Sequence, residues 1–178
     1  MNSINKNQTE DNYQDLIGEE AVNKIKELTK KASTCFLCSN IKTDKSFSAR
    51  PMSVQKVDDE GNLWFLSATD STHNKEIAAD AYIQLLFQGS DYSDFLNLYG
   101  TASINQDKKT IEELWNPYFK TWFTDGIEDK RISVIKLTPQ EGYYWDTKNN
   151  MAVGFIKRLV GAALGKTMDD SIEGEIIM

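Results

Sequence analysis

The sequence predicts a mainly β domain of the α+β class: an antiparallel sheet curling into a barrel, with short helices at its periphery. Three observations predict it. Seven short apolar runs of strand length follow one another along the chain, most of them joined by turns of hairpin length. The helical patterns between them do not alternate with strands as βαβ units would. The 178 residues contain no internal repeat, low-complexity block or linker, and that length suits one core. Barrel closure is how so many strands lose their exposed edges.

Residues 1–18 are polar and aperiodic and predict a flexible N-terminal arm. A helical period begins at Glu19, where Ala21, Val22, Ile25, Leu28 and Ala32 recur at three- and four-residue steps. Thr34–Ile41 and Phe47–Val57 follow as strands, then the turn Asp58-Asp59-Glu60-Gly61-Asn62 and a third strand, Leu63–Ala68. Ser71-Thr72 has the chemistry of a helix cap, with a short helix running to Ala79. Ala81–Gln88 and Phe95–Ile104 are strands, and Gly100 inside the latter marks a bulge or a close backbone approach. Asp107–Trp115 is helical and stops before Pro117. Tyr118–Lys130 is aromatic and then loop-like; Ile132–Leu137 and Gly142–Trp145 are two further strands. Met151–Leu164 is apolar and glycine-interrupted, a helix that needs a partner surface. The expected organisation is an arm (1–18), a barrel domain (19–148), and a C-terminal helix and tail packed on that domain (149–178).

Composition narrows the chemistry. Lys and Arg number 20 against 27 Asp and Glu, so the net charge of −7 repels nucleic acid at long range. A single phosphorylated ligand needs only a few local cations and backbone N–H groups. No apolar run reaches the roughly 18 residues of a membrane helix, and no signal peptide opens the chain. Cytoplasmic location with no membrane or nucleic-acid partner is the expectation. Cys35 and Cys38 lie three apart on a predicted strand and so point to opposite faces, which predicts two buried, unpaired thiols. One histidine, His73, leaves little for a metal centre. The glycines form neither GxGxxG nor a P-loop.

Two clusters are candidates for a site. Arg50 precedes Pro51, and a proline inside a strand points to a sheet edge or bulge. The arginine is either a solvent-facing edge residue or a rigid fork for phosphate or carboxylate. Ser67, Thr69, Ser71, Thr72 and Lys75 lie between the third strand and the short helix. They form either an ordinary cap or a phosphate cradle at a positive helix end. The Asp58–Asn62 hairpin is what would bring Arg50 to face this cap. His73 is either a donor to the anion or an exposed first-turn residue. Trp115, Tyr118, Phe119, Trp122, Phe123, Tyr143, Tyr144 and Trp145 are mostly core aromatics, with Trp122 in loop-like sequence where a flat ring could stack.

Taken in order, Ala49-Arg50-Pro51-Met52, Leu63-Trp64-Phe65-Leu66-Ser67, Asn74-Lys75 with Ile77, Leu114-Trp115-Asn116-Pro117 with Trp122-Phe123 and Gly126, and Tyr144-Trp145-Asp146 resemble the general stress protein 26 family of pyridoxamine 5′-phosphate oxidase-like, FMN-binding split-barrel proteins. The likeness runs from about Glu19 to Asp146. It implies a six-stranded antiparallel split β-barrel and a homodimer with FMN at the interface. It implies Arg50 and Lys75 on the FMN phosphate, and Ser67 and Thr72 on the phosphate or ribityl chain. The backbone from Pro51 and Met52 would run along the isoalloxazine edge, and Trp122 and Trp145 would come from the partner subunit. The same cradle would also suit F420 or another phosphorylated ring. Two departures stand out: Gln55 sits where pyridoxamine phosphate oxidases have a second basic residue, and no Arg-x-His follows Tyr143. Both argue against oxidation of a vitamin B6 phosphate. The implied function is flavin-dependent oxidoreduction linked to stress, with a small-molecule redox substrate or a nicotinamide as reactant. The alternatives are a non-catalytic flavin sensor or store, and a purely structural dimer.

Overall fold

The structure is a computed structural model describing residues 11–42, 46–91, 93–148 and 170–178. In chain order the elements are β1 (Leu16–Ile17), α1 (Glu19–Lys31), β2 (Thr34–Ser39), β3 (Ser48–Ser53), β4 (Lys56–Val57) and β5 (Leu63–Ala68). Then come α2 (Thr72–Ala79), β6 (Tyr82–Gln88), β7 (Phe95–Asn105), α3 (Lys108–Leu114), 3-10 turns at Pro117–Thr121 and Gly126–Glu128, β8 (Ile132–Thr147) and β9 (Ser171–Ile177). The described strands form one sheet, ordered β1-β9-β8-β7-β6-β2-β3, with β5 on β8 and β4 on β5. All pairs are antiparallel except β1 with β9.

The ladder does not close into a ring. Along one edge of β8, β5 takes residues 132–137 and β9 takes residues 141–147, while β7 runs along the other edge. The remaining corner is turned by the chain between β3 and β4. Val54 N–H donates to Ser33 O (2.8 Å) and Gln55 N–H donates to Trp64 O (2.8 Å), so one bent segment touches β2 first and β5 next. Counting residues 48–57 as one bent strand, β2, β3/β4, β5, β6, β7 and β8 are six strands around the core.

That core follows from strand alternation. Leu37, Leu63, Phe65, Ile83, Leu85, Leu98, Ile135 and Leu137 point inward and are fully buried, and α1 adds Ala21, Ile25 and Leu28. Each large side chain withdrawn from water in this way is worth about 1.5–3 kcal/mol. A smaller cluster outside β5 and β8 packs Leu66, Ile132 and Val134 beneath Ile111 and Leu114 of α3 and Phe123. Cys35 and Cys38 are buried and unbonded to each other, as the spacing predicts, and burial pushes the Cys35 thiol up to about 12.

Several expectations need correction. Ile132–Leu137 and Gly142–Trp145 are one 16-residue strand. Pro139 suggests an interruption, but it sits at a register shift where Gln140 is the extra residue opposite Tyr99 and Gly100. A Cβ on Gly100 would run into Thr138 O, and would lie 2.8 Å from Pro139 Cα. The close-approach expectation therefore holds. Residues 11–17 are not a free arm: Tyr13 bridges Glu173, and β1 pairs with β9. The C-terminal residues 171–177, expected as part of a tail packed on the domain, form strand β9, in which Ile172, Gly174 and Ile176 alternate against β8. The proposed helix Met151–Leu164 lies outside the described residues. No described helix is long and apolar enough to cross a membrane.

Candidate functional site

The site is built where α2 lies over the end of the sheet. Ser71 is its N-cap, with Oγ accepting from Asn74 N–H at 3.3 Å. The helix buries only Asn74 and Ile77, three residues apart on one face. A buried asparagine needs partners, and it has them. Its Nδ2 donates to Ser133 Oγ on β8 (2.7 Å), and its Oδ1 accepts from Ser67 Oγ on β5 (2.8 Å). That uses the single hydroxyl proton of Ser67, so the 2.6 Å contact between Ser67 Oγ and His73 Nε2 requires the imidazole to donate. The network thus assigns the Nε2–H tautomer. Burial, then the Arg50 charge, pushes the His73 pKa down to about 4, and Glu76 opposes the shift.

The other side of α2 is tied to β2 and β3. Glu76 accepts from Ser39 Oγ (2.6 Å), Ser48 Oγ (2.8 Å) and Arg50 Nη1 (3.2 Å). Burial opposes ionisation of Glu76, but the two hydroxyls and the guanidinium outweigh it and hold the carboxyl below its usual range. Arg50 Nη1 also lies 3.4 Å from Ser39 Oγ. Its Nε and Nη2 make no hydrogen bond among the described residues. Thr72 and Lys75, in the first turn of α2, are exposed.

Arg50 does meet the cap region, but not by the route the sequence suggests. The Asp58–Asn62 hairpin pairs β4 with β5, whereas among the described strands β3 lies at the edge of the sheet and pairs with β2 alone. Pro51 belongs on such an edge. What joins Arg50 to α2 is Glu76, which the sequence reading missed. The available signal was an acid on the same helical face as His73, one turn later. Ser133 carried no signal.

Alternation along β3 sends Pro51 to the opposite face from Arg50. There Pro51, Phe36, Leu86, Phe95 and Trp145 line a groove of about 510 Å³ floored by β2, β6 and β7. Phe36 is 55% exposed and Leu86 41%. Met52 instead faces inward and packs on the main core. Trp122, 56% exposed, sits in a separate aromatic group with Tyr118 (5.3 Å) and Phe119 (6.2 Å). Ser67 is thus brought to His73 and Asn74, and Arg50 to Glu76; Thr72 and Lys75 are exposed on the first turn of the same helix; Pro51 and Trp145 line the groove, and Met52 and Trp122 belong to neither place. Among the described residues no group of three His, Cys, Asp or Glu side chains is placed to hold a metal ion.

Solved structures share this architecture. The chain superposes on general stress protein 26 from Jannaschia sp. CCS1 with a TM-score of 0.74 and 22% identity, covering 88% of this chain and 97% of that one. A general stress FMN/FAD binding protein from Xanthomonas citri matches with a TM-score of 0.57 and 23% identity over 68% of this chain and 84% of that one. Protein bli-3 of Neurospora crassa is 28% identical over 59% of this chain, which spans about half (54%) of that relative's length. The family model described as pyridoxamine 5′-phosphate oxidase like matches residues 20–170, from the start of α1 to the edge of β9. With a match of that extent, taking in β3, β5 and α2 together, the chain belongs to the pyridoxamine 5′-phosphate oxidase-like family.

Proposed function

We propose that this protein binds FMN and acts, as a homodimer, as a flavin-dependent oxidoreductase on a small-molecule substrate or a nicotinamide. The observation that carries this is the polar end of α2. The N-terminus of α2 carries the exposed Thr72 hydroxyl and Lys75 ammonium, Arg50 is held against Glu76 one turn further on, and a hydrogen-bonded network of Ser67, His73, Asn74 and Ser133 lies beneath. These groups suit a phosphate. Ser67, already committed to His73 and Asn74, would act by holding the imidazole rather than by touching the ligand. Pro51 and Trp145 supply flat apolar surface on the other face of β3, and they suit a ring shared with a second subunit. The exposed Phe36 and Leu86 on that face support the dimer. Trp122 would reach a flavin only from the partner subunit.

When bound, the flavin supplies the electron-transfer chemistry. The protein binds the phosphate, orients the ring and excludes water from the buried side. The family match and the flavin-binding names of structural neighbours support a flavin over other phosphorylated rings such as F420. The test is an absorption spectrum of purified protein after FMN addition and desalting, with riboflavin in parallel. Retained flavin bands with FMN, and much weaker retention of riboflavin, are expected. Equal retention of both, or of neither, would remove the phosphate cradle from the function. Steady oxidation of a reduced nicotinamide by the loaded protein separates an oxidoreductase from a flavin store.

A further inference from the structure

We propose that His73 is a proton-linked element of the anion cradle: when a phosphate dianion occupies it, His73 takes a proton from solvent onto Nδ1 and becomes a cationic partner of the ligand. This rests on the reading of the α2 end as a phosphate site and adds its regulation by pH.

The geometry carries the inference. His73 is in the first turn of α2, between the exposed Thr72 and the buried Asn74. Its Nε2–H is fixed on Ser67 Oγ at 2.6 Å, with Ser71 Oγ at 3.5 Å. Ser67 cannot reverse the bond, because its own proton is on Asn74, and Asn74 is anchored in turn by Ser133. The chain Ser133–Asn74–Ser67–His73 therefore holds the ring in one tautomer, and any second proton must go to Nδ1. No hydrogen bond to Nδ1 exists among the described residues.

The charged groups acting on the ring are Arg50, which comes from β3 and disfavours a second positive charge, and Glu76 on α2, which favours one. β5 contributes only the neutral Ser67. Glu76 is itself engaged by Arg50, Ser39 and Ser48, so the cation next to His73 is only partly neutralised. A dianion arriving at the same place reverses the balance. It satisfies Arg50 and presents negative charge to the imidazole. An opposite charge within hydrogen-bonding reach moves a titration by about one to three pH units. From a starting value of about 4, that brings His73 into the range of about 5–7. At about pH 6 the imidazole would then take up a fraction of a proton per ligand, set against the proton that the phosphate itself gives up on binding as a dianion.

The test uses the fact that His73 is the sole histidine of the chain, so its imidazole nitrogens give one unambiguous set of NMR signals. The full chain is titrated with pH alone, with FMN, with riboflavin and with inorganic phosphate. The expected result is a neutral Nε2–H ring in the free protein and an upward pKa shift of at least about one unit with FMN and with phosphate, with no shift from riboflavin. Calorimetry in two buffers of different ionisation enthalpy gives the net proton exchange; the wild-type value minus that of His73→Gln cancels the proton the phosphate itself releases (second pKa about 6) and should match the imidazole shift. Bound FMN or phosphate that leaves the imidazole titration unmoved overturns the proposal, as does a riboflavin shift equal to that of FMN. If phosphate shifts the ring but FMN does not bind, the flavin reading fails and the proton-linked anion site stands. If neither ligand binds, both fall.

Discussion

Replacing Arg50 with alanine tests the proposed phosphate site most directly, and the structure sets the size of the effect. Among the described residues only Nη1 of the guanidinium is engaged, at 3.2 Å from Glu76 and 3.4 Å from Ser39. Nε and Nη2 are left to form the fork that a phosphate would accept from. A charge-assisted contact of that kind contributes about 1.5–3 kcal/mol, so Arg50→Ala should weaken FMN by roughly 10- to 150-fold. The loss has a second source. Glu76, held ionised by Ser39, Ser48 and Arg50, would remain beside the site with one fewer compensating charge. Glu76→Gln in the Arg50→Ala background should therefore recover part of the lost affinity. Folding should suffer little, because the Arg50 and Glu76 side chains keep 26% and 19% of their exposure, and such pairs contribute about 1 kcal/mol or less. Lys75→Ala, removing an exposed ammonium, should cost no more than about fivefold in affinity. Flavin-fluorescence titration with a thermal melt on the same samples is the assay. An Arg50→Ala protein that melts normally and binds FMN within twofold of wild type would refute the assignment.

Gly100→Ala should destabilise by about 1–3 kcal/mol, at the upper end because the added Cβ meets backbone at Thr138 and Pro139 rather than a movable side chain; an unchanged melting temperature would mean the β7–β8 bulge relaxes freely. Asp58→Ala should cost about 1–3 kcal/mol, since Oδ1 and Oδ2 accept from Asn62, Glu60 N–H and Trp64 Nε1. Burial opposes the Asp58 charge, but these bonds lower its pKa overall. The stabilisation is therefore present above the ordinary carboxylate pKa of about 3.9 and lost as pH falls through the lower folded value. Melts at pH 7 and pH 3 should show the wild-type advantage shrinking at the acid end, and a constant gap would contradict the linkage. Phe36→Glu should convert the proposed homodimer to monomer in light scattering by placing a charge on the exposed groove of the β2 face; a variant that stays dimeric would move the interface elsewhere.

The fold was legible where periodicity decided it and illegible where tertiary pairing did. Ala21, Ile25 and Leu28 gave α1 by spacing, and Leu63–Ala68 gave β5 to the residue. β8 was misread as two strands because Pro139 is a breaker in any local scheme, while its tolerance depends on Gly100 in another strand. β1 was missed because two residues carry no period, and β9 because Glu173, Gly174 and Glu175 interrupt its isoleucines until β8 lies beside it. The candidate site divides the same way. Arg50, Ser67, Ser71, Thr72 and Lys75 are visible as residue types near a cap, yet the partners that fix their geometry, Glu76, Asn74 and Ser133, become visible only when β2, β5 and β8 converge on α2.

That convergence explains why the site sits where it does. An eight-residue helix is marginal alone, and α2 buries only Ile77 as an apolar anchor. It is held instead by two polar ties: Asn74 to β5 and β8 on one side, and Glu76 to β2 and β3 on the other. The two ties lock the orientation of the first turn, where unpaired N–H groups and exposed side chains face solvent. A helix fixed by apolar burial could pack closely but rotate about its axis with small loss, whereas one fixed by directional hydrogen bonds on both sides cannot. The first turn of α2 is thus rigid in the sense that binding a small, highly charged group requires. Arg50, held by Glu76, and His73, held by Ser67, also act on each other through charge, so that a charge entering near one is felt at the other.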